Sequence, residues 1–301
     1  GATGSAAMRA RGDALARCAT EGRGGLGMVI EVSGGNERAN RADNGLSNFN
    51  GNKFTISVGA VTHEGKVTDY STPGLGLLVT APGGVGSNAD TSVDSGFGIA
   101  SADISGSGGY NTTAGAAGDY AFQNQGTSYS GPMVGAVAAL MLEANPGLGF
   151  RDVSMILAMT ALRNDPASAT WVQQAGSEWN LGGMHYSRDF GYGLLDAAAA
   201  VRLAESWAGG TNTVANWQSV QGASSAPAQP LPDNTGTFLS VTADVVDNLV
   251  IERIEVDLDL TATAPSQLAA ALISPAGTSH ILFDQPLTRP LVNGSPDMTV
   301  P

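Results

Sequence analysis

From Ser128 to Ala144 the chain is apolar on nearly every face once Pro132 is passed, and the run ends at Asn145-Pro146. A helix without a polar face belongs inside a domain, and it stops here because the residue before a proline is pushed out of the helical region. Burying such a helix takes other layers packed around it. Upstream, Met28–Val32, Phe54–Val61 and Leu77–Ala81 are short apolar runs of the kind buried on both faces of a parallel sheet. Helical patterns cover Ala6–Ala19, Asp152–Leu162 and, with Asp196 as N-cap, a stretch reaching Trp207. Strands alternating with helices predict an α/β domain over residues 1–207, a parallel sheet flanked by helices.

The rest of the chain reads differently. Residues 84–125 are rich in Gly, Ser, Asn and Asp and predict loops and short hairpins. Residues 208–233 carry almost no charge and are made mostly of small and polar residues, which predicts a linker. Beyond it, Ile254–Leu260 alternates apolar and acidic residues, the pattern of a strand with one wet face. Leu272-Ile273 and Ile281-Leu282-Phe283 flank Ser274-Pro275-Ala276-Gly277-Thr278 as a hairpin. Residues 234–301 therefore predict part of a β-sandwich, short for a complete one.

Glycine supplies 41 of 301 residues and charged residues only 14%, which suits a folded protein with many tight turns. The formal charge of −13 argues against nucleic acid and anionic lipid as partners, both of which need clustered Lys and Arg, and suits cationic substrates or bound Ca2+. No apolar run reaches the ~18 residues of a membrane span. Cys18 is the single cysteine, so no internal disulfide can form; a small buried thiol is the expectation.

The strongest chemical signal is Gly126-Thr127-Ser128-Tyr129-Ser130-Gly131-Pro132, placed where the buried helix begins. A serine there sits in the positive field of the helix N-terminus, which favours developing negative charge. Gly126 permits a sharp turn, and Pro132 is tolerated in a first turn that has no use for its missing N–H. Position alone would equally suit a serine that merely caps the helix.

Gly-Thr-Ser-x-x-x-Pro resembles the nucleophile motif of the subtilisin family, and Met133–Pro146 is similar to the helix of its kexin-like members. Ser33-Gly34-Gly35-Asn36-Glu37 resembles the family's oxyanion-hole segment, and Thr80-Ala81-Pro82-Gly83 its turn after a strand. Phe150–Val153 and Tyr192–Ala197 also match kexin-like segments, and Leu272–Thr278 resembles the β-rich, jelly-roll-like P domain that follows them. The resemblance implies a secreted serine endopeptidase acting on proteins or peptides, with Ca2+ as a structural ion whose ligands stay unassigned. Ser128 would attack the peptide carbonyl, Asn36 would donate to the oxyanion, and Ser33, Gly34 and Gly35 would line the pocket for the residue before the scissile bond. The family's Asp and His precede the oxyanion Asn by long stretches, whereas only 35 residues precede Asn36, so both are expected upstream of this chain. Two other readings are a scaffold that has lost its chemistry and serves as a surface or binding protein, and a Ca2+-binding β-module carried by the α/β part.

Kexin-like enzymes also carry a Tyr-Asp-Gly-Tyr-like stretch after the oxyanion Asn, whose carboxylate meets a basic side chain before the cut. The matching stretch here is Leu46-Ser47-Asn48-Phe49, with Ser47 in the place of that Asp, while Asp43 lies nearby. His63, His185 and His280 have no family context for catalysis and are expected on the surface. Gly22–Gly27 spells a dinucleotide fingerprint but precedes a strand, the reverse of what a phosphate cradle needs. Asn111-Thr112-Thr113 and Asn293-Gly294-Ser295 fit the glycosylation sequon and are expected to be ordinary loop residues.

Overall fold

The fold is given by a computed structural model that describes residues 6–85, 97–172, 185–222, 230, 238–245, 251–256, 258, 267–275 and 277–285. Helix α1 (Ala6–Glu21) leads into a single tight turn over Gly22–Gly25. Strands β1 (Glu31–Ser33), β2 (Ile56–Val61) and β3 (Leu77–Pro82) then form a parallel sheet in that order. Glu31 pairs with Ile56, and Val58 with Val79. Every residue of β2 is buried, as a continuous apolar run between two layers requires.

Helix α2 (Thr127–Ala144) crosses all three strands, α4 (Ala197–Glu205) packs against it, and α3 (Phe150–Thr160) packs on α4 and β3. The core between them joins Val58, Val79, Val134, Met141, Ile156 and Ala200 among others. The α/β layering expected from the sequence is thus present. Asp196 caps α4 through a bond from Ala199 N–H, as expected.

Some boundaries and elements differ from expectation. The first strand is Glu31–Ser33, where it meets β2, while Met28 is half exposed. The polar segment before α2, expected to hold loops and short hairpins, does contain an antiparallel pair, β4 (Ile99–Ala102) and β5 (Tyr120–Asn124). Two-residue strands β6 (Trp171–Val172) and β7 (Tyr186–Ser187) pair as well. Cys18 is only partly buried, on a surface helix that places Leu15 and Ala19 inward.

Near the C-terminus β8 (Ala269–Ile273) and β9 (Ser279–Asp284) form the expected hairpin. Its Leu282 and Phe283 pack with Leu46 and Leu75 of the α/β part. The alternating run at 254–260 is not a strand where it is described: Ile254 is exposed and Glu255 turns to Lys53 and Arg253. Its residues 257, 259 and 260 lie outside the described residues. Alternation marks a face, but a strand also needs a neighbour to pair with, and none accompanies Ile254–Val256 among the described residues. Residues 211–217 dock on the α/β part: Thr213 is buried, and Trp217 lies beneath Lys53 and Arg151.

Candidate active site

The turn into α2 begins at Gly126, whose φ of 122° is open to glycine and strained for other residues. Thr127 is buried and Ser128 is exposed at the second position of the helix, where backbone N–H groups have no acceptor one turn back. Ninety-one residues earlier in the chain, Asn36 follows the end of β1. Its Oδ1 accepts from both the Thr127 N–H (3.0 Å) and the Thr127 hydroxyl (3.0 Å), and Gly35 N–H donates to Thr127 Oγ1 (3.2 Å). The structure therefore brings Asn36 and Ser128 together around one threonine.

With its oxygen engaged, Asn36 has its amide nitrogen left as donor. A methyl group built on Gly126 would lie 3.3 Å from Asn36 Nδ2 and 3.8 Å from Ser128 N. The absent side chain leaves a space bordered by two nitrogens, Asn36 Nδ2 and Ser128 N, at the positive end of α2.

Gly35 meets Thr127 beside this space, and the backbone groups of Ser33, Gly34 and Gly35 are tied down. Ser33 O accepts from Asn50 Nδ2 (2.6 Å), and Gly34 O from Asn44 Nδ2 (2.8 Å). Gly34 N–H donates to Val58 O (2.8 Å), and Gly35 O accepts from Thr72 N–H (3.0 Å). A side chain at Gly34 would run into Val58 O at 2.7 Å and the Leu77 side chain at 2.9 Å, so the segment must stay small for β1 to sit against β2.

Behind it, Ser47 Oγ donates to Asn50 Oδ1 (2.8 Å). Asp43 is bonded to Arg188, and Arg38 reaches Asp189 (2.5 Å), two ion pairs that lock the 37–50 loop to the 187–191 turn. Burial pushes the Asp43 carboxyl up, against the pull of Arg188 and the Gly45 N–H. Beneath the first turn of α2, Glu31 Oε1 is buried with no bonding partner among the described residues and faces Gly131, and burial raises its pKa too.

The histidines sit elsewhere: His63 stacks on Phe97 (3.8 Å), His185 meets Trp171 edge-on (5.0 Å), and His280 meets Tyr186 (6.4 Å). Among the described residues no three His, Cys, Asp or Glu gather as metal donors. The Gly22–Gly27 turn is followed by a strand, and its Arg23 donates to the carbonyls of Gly27, Pro146 and Leu148. It is a structural tether to the end of α2. Asn111 spends its side-chain amide on Ala117 O and Tyr120 O, and Asn293 lies outside the described residues.

The motifs singled out Asn36 and Ser128 as candidates, which the structure places either side of Thr127, but not the residues that hold them. Tyr70, Thr72, Asn44 and Arg188 carry no local motif, and their contacts span distances in the chain that no spacing rule reports.

The Subtilase family model (peptidase S8) matches residues 2–193. Human neuroendocrine convertase 2 is 27% identical over 90% of this chain and 39% of its own length. The Aeromonas extracellular serine protease from Aeromonas sobria is 27% identical over 94% of this chain and 48% of its own length. The crystal structure of the serine protease of Aeromonas sobria superposes with a TM-score of 0.69 at 20% identity, over 95% of this chain and 55% of that one. The chain thus spans about half or less of the relatives' length. With a family match over most of its residues, and relatives such as a convertase and a Drosophila melanogaster furin-like protease that fit the kexin-like branch, the chain belongs to the subtilase family of serine peptidases.

Proposed function

We propose that this chain is the nucleophile-bearing part of a secreted serine endopeptidase. The reading is carried by the bond from Thr127 to Asn36, which ties an amide donor to the residue next to an exposed serine at a helix start. Ser128 Oγ attacks the substrate carbonyl, and Asn36 Nδ2 with the Ser128 N–H receives the oxyanion. The amine half leaves and water releases the acyl group from Ser128. Each of the three histidines is packed on an aromatic ring; the base and the Asp that orients it are those the family resemblance implies upstream. Ser33, Gly34 and Gly35 line the pocket for the residue before the cut.

Relatives that include an extracellular protease and convertases support secretion. Among the described residues no helix is long and apolar enough to cross a membrane. The hairpin β8–β9, with Phe283 buried, is read as the start of a P-type β-sandwich, and structural Ca2+ is kept as an expectation of the family.

The test is fluorophosphonate labelling of the full-length protein followed by peptide mapping. Ser128 is the residue modified, and Ser128→Ala leaves only the ~10³–10⁴ over water that binding and the oxyanion site supply without a nucleophile. Labelling of another serine, with Ser128 untouched, contradicts the assignment.

A further inference from the structure

Tyr70, Ser71 and Thr72 form a buried tripeptide, 8%, 0% and 3% exposed, between the two halves of the site. Each bonds in a different direction. The Tyr70 hydroxyl donates to Gly83 O (2.5 Å) and accepts from Gly126 N–H (2.9 Å). The same Gly126 N–H lies 2.9 Å from Gly83 O, so three groups close a triangle on the residue whose positive φ launches α2. The triangle is tight: a Cβ on Gly83 would meet Ala60 Cβ at 2.5 Å, the Tyr70 oxygen at 2.7 Å and Ser130 Oγ at 2.9 Å.

Ser71 fixes the tripeptide to the sheet, since its hydroxyl accepts from Ala60 N–H of β2 (3.0 Å) and its carbonyl accepts from Arg38 Nε (2.8 Å). Thr72 points the other way. Its N–H donates to Gly35 O (3.0 Å), and its hydroxyl accepts from Glu37 N–H (2.9 Å) and donates to Glu37 Oε2 (3.3 Å). That same carboxylate oxygen accepts the Asn36 N–H (2.7 Å).

We propose that Tyr70 and Thr72 are positioning residues that set the distance between nucleophile and oxyanion donor. Tyr70 acts through Gly126 on Ser128; Thr72 acts through Gly35 and Glu37 on Asn36. The proposal rests on the assignment of Ser128 as nucleophile and Asn36 as oxyanion donor. The Tyr70 hydroxyl is spent on Gly83 O and Gly126 N–H and the Thr72 hydroxyl on Glu37, so their loss shifts the reacting groups, while the Thr72 backbone N–H still holds Gly35 O in every variant. A misplacement of ~1 Å at reacting groups costs on the order of 10²-fold in rate.

The experiment uses the full-length protein. Unmodified protein is first labelled with a fluorophosphonate: no labelling of Ser128 sinks the underlying assignment, and this proposal with it. Given labelling, Tyr70→Phe and Thr72→Val are assayed on one peptide substrate, with rates normalised to folded protein. The expected result is a fall in kcat of about 10- to 100-fold with KM held within about twofold, and slower phosphonylation of Ser128 in both variants. Thr72→Ser, which keeps the hydroxyl, restores kcat to within about threefold of the parent. A brace without catalytic consequence would lower the melting temperature and leave normalised kcat and labelling rate unchanged, and that outcome overturns the proposal. A change confined to KM overturns it too. If Tyr70→Phe does not fold, Thr72→Val and Thr72→Ser decide.

Discussion

Asn36 accepts two hydrogen bonds on one side-chain oxygen, from the N–H and the hydroxyl of Thr127, 91 residues away in the chain. An amide pinned by its oxygen has only its nitrogen to offer, and Thr127 stands next to Ser128. Asn36→Leu is therefore expected to lower kcat by ~10²–10³ with little change in KM, the loss that follows removal of the equivalent amide donor from a subtilisin. Steady-state kinetics of the full-length protein decide: a loss confined to KM would show that Asn36 holds substrate and not the transition state.

Gly126 tests the same space from the other side. Gly126→Ala puts a methyl 3.3 Å from Asn36 Nδ2 and forces an alanine to a φ of 122°. Such backbone strain alone is of order 1–3 kcal/mol. Phosphonylation of Ser128 should slow at least ~100-fold while circular dichroism keeps its helical signal; unchanged labelling would mean that the space plays no part in the reaction.

The sequence announced elements whose cause is local and missed those whose cause is a distant partner. The buried runs of β2 and β3 and the apolar helix α2 are legible because burial on every face leaves no polar position. Asp196 was legible because a cap bonds within its own first turn. The start of β1 was not, because the strand begins where Ile56 offers a partner, 25 residues on from Glu31. For β4 and β5 the sequence marked only a region of loops and short hairpins; their bounds appear once Asn124 is seen bonding to Ile99 O and Ser101 Oγ. In the candidate site, the motifs pointed to Ser128 and Asn36, and the structure joins them through Thr127. Tyr70 and Arg188 stayed hidden because a phenol or guanidinium that reaches across the fold leaves no mark on its neighbours in sequence.

Asp152 carries a prediction about stability. Its carboxylate is fully buried and accepts from Gly149 N–H (2.7 Å), Asn212 N–H (2.9 Å), Asn212 Nδ2 (2.6 Å) and Trp207 Nε1 (3.0 Å), tying the start of α3 to the segment after α4. Asp152→Ala strands four donors, and one unsatisfied buried group costs about 1–3 kcal/mol. Urea unfolding should show a loss of at least ~3 kcal/mol, with Asp152→Asn losing less. A loss under ~1 kcal/mol would show that water takes over the bonds.

Glu31 carries a prediction about pH. Its buried Oε1 has no partner among the described residues and its pKa is raised by burial, so the charged form is disfavoured in the folded state. A carboxyl with a raised folded pKa contributes stability below its unfolded pKa and loses it as pH rises through the folded one. Glu31→Gln should therefore match the parent near pH 4 and be more stable at pH 7.5, as read from urea midpoints. An advantage that is equal at both pH values, or larger at the acidic one, would mean that the charge is not what the site disfavours.

The final prediction concerns the residue before the cut. Ser33, Gly34 and Gly35 offer backbone and little side chain, and the carbonyls of Ser33 and Gly34 are already taken by Asn50 and Asn44. Ser47 stands where kexin-like enzymes place an Asp, and its hydroxyl is turned onto Asn50. Asp43, the nearest substitute, is held by Arg188, and Asp189 by Arg38, so both carboxylates already have a cation. Glu37 turns back on the Asn36 N–H and the Thr72 hydroxyl. A cation buried without its carboxylate costs several kcal/mol, and each ~1.4 kcal/mol is a tenfold loss in kcat/KM. The full-length enzyme should therefore not require Arg or Lys at this position. The check is a peptide library varied only there. A preference for Arg and Lys over Leu and Phe of more than about a hundredfold, equivalent to ~2.8 kcal/mol, would mean that a carboxylate does reach the pocket despite these pairings.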